Sequence, residues 1–181
     1  KVDFITLAPH KFYGLNGFGA LINRNNTKLI PIIHGGKSTT IYRSGTPQTA
    51  NVIAFKTALE LAINNLDTRY KYIQKLNNKL RNNLSKYKCI HINSPINSIP
   101  NTLNISLINK DTKKVLQELE KKEIYLSTTT ACSLGNTPSK SVYAITKDEY
   151  LANNTIRISI SHLTKEEEID KFLSILNKIL N

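Results

Sequence analysis

The sequence predicts an α/β chain that closes in an α+β domain. Three observations carry that expectation. Two β-leaning apolar runs, 2–8 and 18–22, flank a glycine-bearing turn near the start. A long stretch after Pro47 places Val52, Ile53, Phe55, Ala58, Leu59, Ala62 and Leu66 at helical spacing. From Lys88 onward, short β-branched runs alternate with amphipathic ones, the pattern of helices packed on one sheet.

Taken in order, residues 2–8 and 18–22 read as a hairpin with a turn over 14–19, and 28–33 as a further short strand. Residues 34–40, His34-Gly35-Gly36 followed by small polar groups, read as a loop. Thr46-Pro47 offers an N-cap and an N1 proline to a helix running to about Tyr87, with a break near Asp67-Thr68. Strands are then predicted over 89–92, 102–107, 124–127 and 155–161. The helices between and after them are predicted over 111–121, from Thr137-Pro138 to Ile145, and from a Thr164/Glu167 capping box to about Leu180.

A length of 181 residues with 40% apolar content suffices for one domain or one and a part. The chain has no methionine and starts at Lys1, which predicts a piece of a longer protein. Its net charge of +12 is dispersed rather than clustered, so direct nucleic-acid binding is not expected. No apolar run approaches a membrane span. Two cysteines without close spacing suggest neither a zinc site nor a disulfide framework, which suits a reducing cytoplasm.

The stretch Pro9-His10-Lys11-Phe12-Tyr13-Gly14 follows an apolar strand pattern, and so is expected to hold a lysine at the end of a buried strand. An ammonium is costly to bury, and a neutral amine attacks carbonyls. A snorkelling surface lysine is the plain alternative in a chain with 25 Lys+Arg.

Further blocks follow in a set order: Gly17-Phe18-Gly19-Ala20-Leu21, His34-Gly35-Gly36, Arg43-Ser44-Gly45-Thr46, the run from Ser127 to Ser133, Ile156-Arg157-Ile158-Ser159, and Thr164-Lys165-Glu166-Glu167-Glu168-Ile169-Asp170. Together with the Lys11 stretch, this order resembles the cysteine desulfurases of the NifS/IscS type, within the class-V aminotransferases. The resemblance covers essentially the whole chain. It implies the α/β fold of the fold-type-I transferases that depend on pyridoxal 5'-phosphate, with residues 1–46 ending the large cofactor domain. Residues 47–87 would be linking helices and 88–181 the small α+β domain.

By the same resemblance, Lys11 would anchor the cofactor and move protons on the substrate, and His10 would help to seat it. Thr46 would contact the phosphate bound by the neighbouring subunit of a homodimer, and Arg157 would grip the α-carboxylate of L-cysteine. Cys132 would take the sulfur as a persulfide, releasing L-alanine, and pass it to an iron–sulfur scaffold or another acceptor, such as the tRNA-thiolation machinery. No permanent metal is implied, although in such relatives this cysteine can transiently share an iron–sulfur cluster with the scaffold. Ala8 stands where relatives often carry a phosphate-binding serine, which leaves that phosphate contact to backbone amides or other hydroxyls.

Residue chemistry supports parts of this. A hydroxyl at a helix N-terminus suits an anion, although a plain N-cap reads the same in sequence. Arg157 alternates with Ile156, Ile158 and Ile160 and so should face away from them, where a guanidinium can hold a carboxylate by two parallel bonds. Cys132 lies in a small, polar run expected to be a mobile loop, whereas Cys89 reads as a small core residue. His34, His91 and His162 show no ligand spacing. Other readings are a different lyase or aminotransferase of the same fold, such as a selenocysteine lyase, and a docking module without activity.

Overall fold

The computed structural model describes residues 2–36, 40–128 and 137–181. The chain forms two compact units, Lys1–Leu66 and Asp67–Asn181.

In the first unit, β1 (Phe4–Leu7) pairs antiparallel with β2 (Ala20–Asn23), with Phe4 opposite Asn23 and Leu7 opposite Ala20. A 3-10 turn, Pro9–Phe12, follows β1 directly and ends at Tyr13, whose φ of 70° is left-handed. It packs against α1 (Thr49–Asn64) through Phe12 and Phe55, whose rings meet edge to face at 5.7 Å, and Phe18 meets Phe55 at 6.0 Å. Gly14 permits this approach, because a Cβ there would lie 2.7 Å from the Pro9 Cβ and 3.2 Å from the Ala58 Cβ.

Two expectations fail in this unit. Residues 28–33 form no strand, since Pro31 removes a donor and no described strand lies beside them. Thr46 is not the cap of α1, whose N-cap is Gln48, so the helix starts two residues later than the Thr-Pro signal suggests.

The second unit is built on a three-stranded antiparallel sheet in the order β3 (Ile90–Ile92), β4 (Thr102–Leu107), β5 (Thr155–Ser159). Strand alternation sends Leu103, Ile105 and Leu107 of β4 to the same buried cluster as Ile156, Ile158 and Ile160. Three helices cover that face. α2 (Leu66–Leu84) contributes Ile73, Leu76, Leu80 and Leu84; α3 (Thr112–Glu120) contributes Val115 and Leu119; α6 (Glu166–Leu180) contributes Ile169, Phe172, Leu176 and Leu180. Their three-to-four spacing is what one helix face requires.

On the other side, α4 (Lys140–Thr146) and α5 (Glu149–Asn153) bury Val142 and Ala152. The α5 helix is absent from the expected set, because its 5 residues are too few to show a period.

Several boundaries move for identifiable reasons. The predicted helix break lies at Asn65 instead of near Asp67. The predicted strand 124–127 reduces to a single bridge of Ser127 with Arg157, because the Ile124 amide bonds the Leu119 carbonyl at 3.1 Å and Glu123 turns at φ 61°. α4 is capped by Ser139, whose Oγ accepts from Val142 N at 3.4 Å, and not by Thr137. Thr164 Oγ1 instead closes the preceding turn, accepting from Ser161 N at 3.0 Å. The cap of α6 therefore falls on Lys165, whose amide donates to the Glu168 carboxylate at 2.7 Å. Asp111 caps α3, accepting from Lys114 N at 3.1 Å.

Candidate active site

Lys11 and His10 sit in the middle of the 3-10 turn, and the Lys11 amide bonds the Ala8 carbonyl at 2.9 Å. Both side chains are exposed. The expected burial at a strand end fails because, among the described residues, β1 pairs with β2 alone, leaving Phe4 and Ile5 39% and 44% exposed. The Lys11 amine has no ion-pair partner among the described residues.

Thr46 lines a cleft of about 360 Å³ with Gly17, Gly19, Arg43 and Gly45. Gly45 has φ 110°, and a Cβ there would meet the Arg43 guanidinium at 2.9 Å, so the arginine lies back over the loop. Ser44 holds this loop by donating to the His34 carbonyl at 2.9 Å. With the cap role excluded, the Thr46 hydroxyl remains available to the cleft. Lys11 does not line this cleft.

Arg157, in the second unit, lies on β5 and faces away from the apolar core, as its alternation with isoleucines implies. Its backbone is pinned by Ser127, with Arg157 N donating to Ser127 O at 2.6 Å. Its side chain borders a cleft of about 290 Å³ whose apolar wall includes Ile99, Val142 and Ile145. The buried Nε of Arg157 has no hydrogen-bond partner among the described residues. An unmade bond on a buried cation is costly, so this atom marks a place where an anion would be stabilising.

Beneath that cleft runs a polar network that the sequence reading missed. Asn93 Nδ2 donates to Asn104 Oδ1 and to Ser106 Oγ, each at 2.7 Å, Thr155 Oγ1 donates to Asn104 Oδ1 at 2.6 Å, and Ser106 Oγ donates to the Leu151 carbonyl at 2.7 Å. Its signal was present in the alternation of Asn104 and Ser106 with Leu103, Ile105 and Leu107. His91 joins through Nδ1, 2.9 Å from Asn93 Oδ1.

Cys89 is half-buried against the core with a free thiol. Cys132 and most of its predicted loop lie outside the described residues. Among those described, no group of three or more His, Cys, Asp or Glu residues could hold a metal, and no helix is long and apolar enough to cross a membrane.

The pattern of residues 1–172 matches the family described as aminotransferase class-V. The chain belongs to that family. Its class-V relatives include a protein named cysteine desulfurase IscS from Dictyoglomus turgidum, 32% identical over 182 residues, a match that covers 99% of this chain and 46% of that protein. A mitosomal cysteine desulfurase from Encephalitozoon cuniculi is 31% identical over 94% of this chain and 40% of its own length. Among solved structures, a NifS-like protein superposes with a TM-score of 0.84 at 31% identity, over 99% of this chain and 47% of that one. A NifS-like protein from Rickettsia africae gives 0.81 at 30%, over 99% and 48%. This class-V chain thus carries part of the fold-type-I architecture and spans about half the length of the curated relatives it matches.

Proposed function

We propose that the protein carrying this chain is a cysteine desulfurase that works as a homodimer on L-cysteine with pyridoxal 5'-phosphate. The observation that carries the reading is the buried Nε of Arg157, without a partner among the described residues, at a small, largely apolar cleft. A guanidinium so placed suits the carboxylate of a small amino acid. The relatives' names support the desulfurase reading among class-V activities.

The residues present fit the cofactor. The exposed Lys11 amine lacks an ion-pair partner among the described residues, as an anchor for an aldehyde should. The Thr46 cleft offers a hydroxyl and three glycines to a phosphate. Because Lys11 is not part of that cleft, the arrangement supports a Thr46 that serves the neighbouring subunit. Bound pyridoxal phosphate supplies an electron sink that makes the substrate α-proton removable.

Lys11 then carries that proton, with His10 beside it to seat the ring, while Arg157 holds the substrate carboxylate. The Cys132 thiolate attacks the substrate sulfur: its S–S bond forms as the C–S bond breaks, the β-carbon gains a proton, and L-alanine leaves. The sulfur is oxidised to the sulfane level as the carbon is reduced, so no outside redox partner is needed. The persulfide passes to an acceptor protein for iron–sulfur clusters or tRNA thiolation, and Cys132 is the residue that would transiently share a cluster.

In the holoenzyme, Lys11→Ala should abolish alanine release from L-cysteine, and Arg157→Gln should raise the KM by one to two orders of magnitude, the loss of a charge-assisted hydrogen bond of about 1.5–3 kcal/mol. Unchanged turnover in Lys11→Ala would overturn the assignment. Release of selenide from selenocysteine with no sulfur release from L-cysteine would favour a selenocysteine lyase.

A further inference from the structure

The orientation of Asn104 follows from the network beneath the Arg157 cleft. The Leu151 carbonyl can only accept, so the Ser106 hydroxyl must spend its one hydrogen there, at 2.7 Å. Ser106 Oγ, 2.7 Å from Asn93, must then accept from Nδ2 of that residue. The same Nδ2 lies 2.7 Å from Asn104, which must therefore present its oxygen. Thr155 Oγ1 donates to that oxygen as well, at 2.6 Å. The amide of Asn104 is thus polarised by a backbone carbonyl three links away, with its oxygen inward and its NH2 group turned out of the network.

Asn104 lines the cleft beside Arg157, and its Nδ2 has no partner among the described residues. The two residues are directly opposed across β4 and β5. Asn104 uses its backbone toward Asn93 and Ser94, while Arg157 uses its own toward Ser127. They consequently form a non-hydrogen-bonded pair, the closer of the two antiparallel arrangements, with side chains on one face.

We infer that Asn104 is a second donor for the substrate carboxylate, its Nδ2 acting beside the Arg157 guanidinium and selecting a planar anion over a neutral group. This rests on the reading of Arg157 as the carboxylate's partner. One guanidinium attracts any anion, whereas an amide NH2 fixed on the neighbouring strand adds direction.

The test uses the holoenzyme and two competing ligands, L-alanine and L-alaninamide, which differ only at the carboxylate. Asn104→Asp keeps an oxygen for Asn93 and Thr155 but replaces the outward donor by a charged acceptor. It should weaken L-alanine at least about tenfold relative to L-alaninamide, reading inhibition constants against L-cysteine. Should that variant fold poorly, the unmutated protein decides: the Asn104 side-chain amide proton resonances should shift on adding L-alanine and stay in place with L-alaninamide. If Arg157→Gln leaves the preference for L-alanine intact, the carboxylate reading falls and this inference with it. If Arg157→Gln collapses the preference while Asn104→Asp preserves it and the Asn104 resonances stay still, Asn104 is a structural residue of the network only.

Discussion

Single side chains decide most at this site, and two of them test the structure directly. Gly14→Ala would press a methyl group to 2.7 Å from the Pro9 Cβ. The turn bearing His10 and Lys11 must then shift from α1, at a cost of about 1–3 kcal/mol. A lowered melting temperature with a raised cofactor dissociation constant is the expected pair of results, and wild-type values for both would show that the contact yields freely. For the thiols, Cys132→Ser should still bind L-cysteine yet transfer no sulfur. Cys89→Ser, which changes a half-buried residue packed against the core, should stay active with a modest loss of stability. A persulfide mapped to Cys89 would overturn the assignment. The outward turn of Arg157 was legible because period-2 alternation needs only the strand itself. The exposure of Lys11 was not, since burial depends on which neighbours β1 finds.

At the scale of elements, α2 and α6 are tied on their solvent side by Lys75 to Glu166 at 2.7 Å, Lys79 to Glu166 at 3.2 Å and Lys79 to Asp170 at 2.6 Å. Hydrogen bonds from Lys75 and Lys79 hold the Glu166 carboxyl below the usual range; the Glu166 bond raises Lys75, whereas Lys79 is raised first by its bond to Asp170 and then by Glu166. A carboxyl depressed in the folded state contributes stability above its unfolded pKa, about 4.3 for glutamate, and loses it as pH falls through the lower folded value. Glu166→Gln should therefore melt below the wild type at neutral pH and low salt, the gap closing in acid and narrowing in high salt. A gap that persists once the carboxyl is protonated would point to packing rather than charge. Element types were largely readable, but ends were not. Ser139, Lys165 and Gln48 cap helices for which the sequence pointed to Thr137, Thr164 and Thr46, because backbone geometry chooses among adjacent positions.

At the scale of the whole molecule, the two units differ in how much they bury. Among the described residues, the buried hydrophobic core from Ile73 to Leu180 belongs to the second unit, and the first unit fully buries Pro9. The first unit leaves Ile53, Leu61 and Ile63 of α1 at least half exposed, beside an open two-stranded sheet, a form marginal in water by itself. Residues 67–181 expressed alone should unfold cooperatively and disperse their amide resonances, whereas residues 1–66 should be unstructured or self-associate through their apolar surface. A cooperative, monomeric 1–66 would mean that the unit has a core its exposed side chains do not suggest. The exposed Ile53, Leu61 and Ile63 of α1 also support the proposed dimer.

By itself, the sequence determined the family, the order of most strands and helices, the apolar faces of α2, β4, β5 and α6, and the identities of Lys11, Thr46, Arg157 and Cys132 as candidates. The elements and their faces follow from local periodicity, and the family and the candidates from an ordered set of motifs that resembles the family's, all of which survive without coordinates. Only the tertiary structure decided that Lys11 stands exposed, that Thr46 is free of the helix cap, that 28–33 and 124–127 are not strands, and that Asn104 lies opposite Arg157. Each of those depends on strand register and on which distant backbone groups meet, and a one-dimensional pattern carries no record of either.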